Sequence, residues 1–161
     1  FQIGTSRRMT RAPRPTCTTT SAAASATSRL SDGARSGRLR LRAPLAPNIN
    51  DKGCAFGGSL VSLMTIAAWG LVFLELAQAG IEADIFVADS RVRYLKPVFE
   101  DIVVEAGFDD PSERATLVGT LRRQGRASIR LKAESMLADG GVAASFVGRY
   151  VAIVRTTGQH G

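Results

Sequence analysis

The chain has 161 residues, 45% hydrophobic and 22% charged, which fits one globular domain with room for a short appendage. Two cysteines, Cys17 and Cys54, and one histidine, His160, are too few for a four-ligand zinc site or a disulfide framework; neither metal nor cofactor is expected, and a reducing, cytoplasmic setting is. The formal charge of +7 invites a nucleic-acid reading, but residues 1–42 hold nine arginines against the single acid Asp32, while the remainder holds 12 basic and 13 acidic residues, so the basicity belongs to one arm and nucleic-acid binding by the body is not expected.

Residues 1–36 are rich in Arg, Ser, Thr and Ala, and Phe1, Ile3, Met9 and Leu30 are too sparse to define a buried face. A disordered or irregular arm is expected. A transit-like segment or a non-specific phosphate-binding arm are the competing readings. An apolar run of the kind a secretory signal needs is not seen there. From Gly37 the texture changes, and 37–161 reads as the folded domain. Arg38-Leu39-Arg40-Leu41-Arg42-Ala43 alternates, as a strand with one buried face does. Pro44 and Pro47 bracket an extended loop through Asn50, Asp51 and Gly53. Gly57-Gly58-Ser59 then opens an apolar stretch over 60–74 that continues to Gln78 and stops near Gly80, a C-terminal cap. This pattern predicts a helix buried on nearly all sides, with Trp69 and Phe73 in the core. The apolar run of 15 residues is short of the ~20 that cross a bilayer, so a core helix is expected and not a membrane span.

The second half reads as strands. One is expected over 84–98, ending at Pro97, and another over 101–108. Asp109-Asp110-Pro111 turns, and 112–121 fits helix or strand. In 127–137, Ile129, Leu131, Ala133 and Ser135 share one face, with Arg130, Lys132 and Glu134 on the other. Asp139-Gly140-Gly141 is a tight turn before a last strand over 142–154. Short turns between strands imply an antiparallel sheet, and a helix that is apolar all round needs covering. The fold class is therefore α+β, an antiparallel sheet wrapped around one long central helix.

The run Asn50-Asp51-Lys52-Gly53-Cys54-Ala55-Phe56-Gly57-Gly58 resembles the stretch of hotdog-fold thioesterases that reads Asn, two residues, Gly, two residues, His-Gly-Gly. With Ala43-Pro44-Leu45-Ala46-Pro47-Asn48-Ile49-Asn50 before it and Phe56 in place of the His, it is similar to the YiiD C-terminal type. Ala88-Asp89-Ser90-Arg91-Val92-Arg93-Tyr94-Leu95-Lys96-Pro97 is similar to the family's strand ending in an aromatic, Leu, a basic residue and Pro. Gly125-Arg126 and Asp139-Gly140 also fall where the family places Gly-Arg and a turn. The resemblance covers about 38–154, and its order and spacing are more specific than any one piece. Residues 1–36 depart from the helix and linker that the family carries there. The resemblance implies a hotdog fold and hydrolysis of acyl-CoA or acyl-carrier-protein thioesters. It also implies a homodimer or dimer of dimers, with a sheet continuous across two subunits and with Asn50 and Gly57 facing a partner's helix. The alternative is a non-catalytic acyl-thioester-binding or regulatory domain of the same fold.

Thioester hydrolysis needs a polarised carbonyl and an activated water. The N–H groups of Gly57, Gly58 and Ser59 open the helix without intrahelical partners and are suited to an oxyanion. The plainer role of the two glycines is close helix-to-sheet packing. Asn50 or Asp51 is placed to orient or activate water, although a loop Asn often bonds its own backbone. The family's carboxylate, two turns into the helix, falls on Thr65, which can position water but not act as a base alone. Glu75 lies towards the far end of the helix. Phe56, Gly57, Ser59, Asp89, Ser90 and Arg126 are the candidate substrate contacts. Arg122, Arg123 and Arg126 fit either the phosphates of coenzyme A or a solvated basic turn. Cys54 has no histidine to activate it.

Overall fold

A computed structural model of the chain describes residues 37–155. The arm over 1–36 lies outside the described residues. The alternation at the start of the domain forms β1 (Arg38–Ala43), with Leu39 buried and Arg38, Arg40 and Arg42 exposed. A 3-10 turn (Ala46–Asn48) contains Pro47, and the chain then closes a small loop with an antiparallel bridge from Ile49 to Ala55. The central helix α1 (Gly57–Gln78) follows. Its end is a Schellman motif. Gly80 has φ 65°, its N–H donates to Ala77 O at 3.1 Å, and Ile81 N donates to Leu76 O at 2.9 Å.

β2 (Ala83–Tyr94) and β3 (Ile102–Phe108) come next, then α2 (Pro111–Gln124), β4 (Arg126–Met136) and β5 (Val142–Val154). The stretch that fitted helix or strand is therefore helical. The Asp110 side chain accepts from Ser112 N at 2.8 Å, Pro111 occupies the first turn, and Gly125 at φ 67° ends the helix. Glu113 near its start and Arg122 and Arg123 near its end match the helix dipole. β2 stops at Tyr94, short of Pro97. Leu95 N and Lys96 N both donate to Ala143 O, at 2.8 and 3.0 Å, which turns the chain away before the proline.

All neighbouring strands are antiparallel, in the order β1-β3-β4-β5-β2. In β4 the buried residues Ala127, Ile129, Leu131, Ala133 and Ser135 alternate with exposed Ser128, Arg130, Lys132 and Glu134, as the period predicted. Both helices lie on the side of Ile129 and Leu131. Arg114 of α2 pairs with Glu75 of α1 at 2.7 Å, and Arg122 donates to Ala79 O at 3.0 Å. Met64, Leu71 and Leu76 of α1 and Leu117 and Leu121 of α2 share one core with the sheet. Each such side chain contributes roughly 1.5–3 kcal/mol by leaving water. Gly70 lets α1 approach β1 closely, since a Cβ there would stand 2.9 Å from Leu39 Cδ2.

The helix is not covered on all sides. It is 22 residues long, enough by length and composition to cross a membrane, yet Leu60, Met64, Ala67, Ala68, Leu71, Val72 and Leu76 are packed onto the sheet. The opposite stripe is open: Ile66 is 56% exposed, Trp69 38% and Phe73 49%. Trp69 and Phe73 are thus not core residues of a single chain. They stack on each other at 5.4 Å, and Trp69 Nε1 donates to Ile85 O at 3.2 Å. A five-stranded sheet wraps one side of a helix only, and the other side of this largely apolar helix is left as an exposed stripe.

Candidate active site

The loop before α1 fixes how the helix begins. Phe56 is its N-cap, extended at φ −65° and ψ 131°, and its N–H donates to Asn48 O at 2.7 Å. Phe56 offers no side-chain cap. Its carbonyl accepts from Ser59 N at 3.0 Å and from Leu60 N at 3.2 Å. The N–H of Ser59, expected to be free, is thus taken up by a tight first turn. Among the described residues, the N–H groups of Gly57 and Gly58 have no acceptor. They sit at the positive end of a helix about 33 Å long.

Two aromatic rings stand over these glycines. A Cβ on Gly58 would lie 2.3 Å from Cε1 of Phe56. A Cβ on Gly57 would lie 3.3 Å from Cε1 of Tyr94, whose hydroxyl donates to Gly57 O at 3.2 Å. Only glycine leaves this space beside the backbone. A cavity of about 320 Å³ opens here, lined by Gly57, Leu60, Tyr94, Lys96 and Val98. Tyr94 was not among the residues singled out from the sequence. Its signal was present in the Tyr94-Leu95-Lys96-Pro97 run, but an aromatic closing a strand reads equally as packing.

Asn50 is committed to its loop. Its Oδ1 accepts from Lys52 N at 2.8 Å and Cys54 N at 3.3 Å, and its Nδ2 donates to Cys54 Sγ at 3.2 Å. This Asx turn also buries Cys54. Asp51 projects from the same loop, largely exposed, with Lys52 Nζ 3.3 Å away. Thr65 lies half-buried two turns into α1, and its carbonyl accepts from the Tyr150 hydroxyl at 2.9 Å. Burial holds that hydroxyl neutral well past its ordinary range.

The other candidates lie apart within one chain. Asp89 is paired with Arg149 across the sheet, on the face away from α1, where Nε and Nη2 of the arginine both lie 2.7 Å from Oδ2. Ser90 points to the helix side, opposite Gly148, four residues before Tyr94 on β2. Arg126 opens β4 beside Ile153 on the bare face. Arg122 bonds Ala79 beyond the last turn of α1, so the arginine cluster sits at the opposite end of the helix from Gly57.

What this arrangement offers is a pair of unaccepted donors at a helix start, a chemistry suited to a carbonyl oxygen that gains negative charge. A family described as "Putative thioesterase (yiiD_Cterm)" matches residues 32–154. The chain belongs to this family. Its solved relatives agree. The "putative thioesterase" of Shewanella oneidensis is 36% identical over 73% of this chain and 78% of that one, with a TM-score of 0.65. A protein of unknown function from Chlorobaculum tepidum is 31% identical over 74% and 78%, with a TM-score of 0.68. A "probable thioesterase" of Pseudomonas aeruginosa is 25% identical over 74% and 78%, with a TM-score of 0.61. The sheet-and-helix architecture of this YiiD-type chain is thus the hotdog fold of thioesterases.

Proposed function

We propose that the chain hydrolyses acyl thioesters carried by coenzyme A or by an acyl-carrier protein, with the thioester carbonyl held by the N–H groups of Gly57 and Gly58. The observation that carries this reading is the pair of unaccepted donors at the start of a 22-residue helix, in a chain of a thioesterase family. Water attacks the carbonyl carbon, the carbonyl oxygen takes the negative charge, and the two donors and the helix dipole stabilise it. Collapse of that intermediate breaks the C–S bond, and the departing sulfur takes a proton, leaving carboxylic acid and thiol. Asn50 serves by holding the loop, because its amide is already engaged. Asp51, on the same loop and among the described residues paired only with its neighbour Lys52, takes the proton of the attacking water.

The same reading makes the chain a dimer. Among the described residues β2 is a 12-residue edge strand with one side unpaired, and it runs beside the open stripe of α1, where Trp69 bonds Ile85. An edge strand of this length leaves a row of backbone N–H and C=O groups open to pairing with another chain. Pairing of two β2 edges continues the sheet into a second copy and brings each loop at 50–53 towards the partner's helix.

The test is thiol release from a panel of short, long and aryl acyl-CoAs and one acyl-carrier protein. Turnover on one class, lost in Gly58→Val and reduced in Asp51→Asn, is expected. Full activity of Gly58→Val on every substrate would remove the proposed site. One observation favours the non-catalytic alternative: Glu75, near the far end and ion-paired with Arg114, is the first acid in α1. Tight acyl-CoA binding without turnover across the panel would select it.

A further inference from the structure

Tyr94 does more than fill space beside Gly57. Its hydroxyl donates to the Gly57 carbonyl at 3.2 Å. That carbonyl and the N–H of Gly58 are the two ends of one planar peptide group. A donor on the oxygen draws electron density along the group and makes the N–H at its other end more positive. The same bond fixes the plane of the peptide, and therefore the direction in which the Gly58 N–H points. Tyr94 is itself held firmly, as the last residue of β2 before Leu95 N and Lys96 N converge on Ala143 O. The side chain is nevertheless 57% exposed and lines the cavity at the helix start, so its position is not explained by burial.

We infer that Tyr94 is a positioning residue for the oxyanion site, acting through the Gly57–Gly58 peptide to orient and strengthen the Gly58 N–H donor. This rests on the reading that Gly57 and Gly58 hold the thioester carbonyl. It adds a residue from β2 to a site otherwise built by one loop and one helix end. The effect falls where charge develops on the oxygen, so it acts on the transition state more than on the bound substrate.

Tyr94→Phe keeps the ring and deletes the donor. In the full chain, kcat should drop about five- to tenfold, the size of one modest hydrogen bond, with KM within about twofold. The melting temperature should stay unchanged. In an amide NMR spectrum of the same variant, without substrate, the Gly58 resonance should move upfield in both nitrogen and proton while amides at the far end of α1 stay in place. Retention of kcat, or an unmoved Gly58 resonance, would overturn the inference and leave the hydrolase reading standing. So would equal losses in kcat and thermal stability, which mark a purely structural role. If the unaltered chain turned over no thioester, the functional reading would fall, and the Gly58 resonance alone would still decide whether Tyr94 polarises that peptide.

Discussion

At Gly58 the proposed function and stability pull in opposite directions. Alanine is favoured over glycine inside a helix by up to about 1 kcal/mol. The added methyl would stand 2.3 Å from the Phe56 ring, which is exposed enough to swing aside. Gly58→Ala should therefore melt no lower than the parent, while the displaced ring and the methyl crowd the donor and cut turnover at least about tenfold. Thermal denaturation beside thiol release checks both halves, and parallel loss of both would show that the glycine serves packing. Tyr150 is the converse case. It is fully buried and its hydroxyl bonds Thr65 O, so Tyr150→Phe should cost about 1 kcal/mol without touching the helix start. Burial raises its folded-state pKa above the ordinary 10.0, so the stability tied to the neutral phenol is complete below that pH and is lost as pH climbs past it. Denaturant melts of Tyr150→Phe should show a weaker alkaline decline. The start of the helix at the paired glycines was legible because their spacing before an apolar run is distinctive. The engagement of Asn50 was not, since a loop Asn looks the same whether it faces water or its own backbone.

At the scale of elements, period and punctuation carried most of the fold. The two-residue alternation in β1 and β4, the glycine after α1 and the turn at Asp139-Gly140-Gly141 all took the forms that their residues favour, with Gly140 at φ 82°. α2 was ambiguous because its apolar residues are few and its helical character is set by its ends. Asp110 is the clearest of these. Hydrogen bonds from Ser112 hold its carboxyl below the ordinary 3.8. A depressed folded-state pKa gives stability that is present above the unfolded value and is lost as pH falls through the folded one. Asp110→Ala should therefore lower the melting temperature at neutral pH, and the gap should close on acidification below about pH 4. A gap independent of pH would mean that the cap is not the carboxylate. What no local pattern carried was the burial of α1. An all-apolar helix reports that every side will be covered, but not whether by its own sheet or by another chain.

For the whole molecule, that distinction decides the assembly. The bare face of the sheet displays Arg40, Arg91, Arg93, Arg126 and Arg130, none ion-paired among the described residues, beside the pairs Arg38–Glu105 and Arg149–Asp89. Two such faces repel at low salt, where the Debye length is about 30 Å at 0.01 M. The helix side, by contrast, exposes apolar surface: Ile66, Trp69 and Phe73 of α1, and Val87 and Tyr94 of β2. Copies should therefore join through β2 and α1 and not back to back through the arginine face. Phe73→Glu places a charge in the middle of the apolar stripe, where covering it without a partner costs several kcal/mol. Light scattering should then report a monomer that keeps its circular dichroism, and thiol release should be lost, because in the proposed dimer each loop at 50–53 faces the partner's helix. A monomer with full turnover would confine the site to a single chain. A Phe73→Glu chain that stayed dimeric would move the interface to the arginine face, and its mass would then rise with salt as the repulsion is screened.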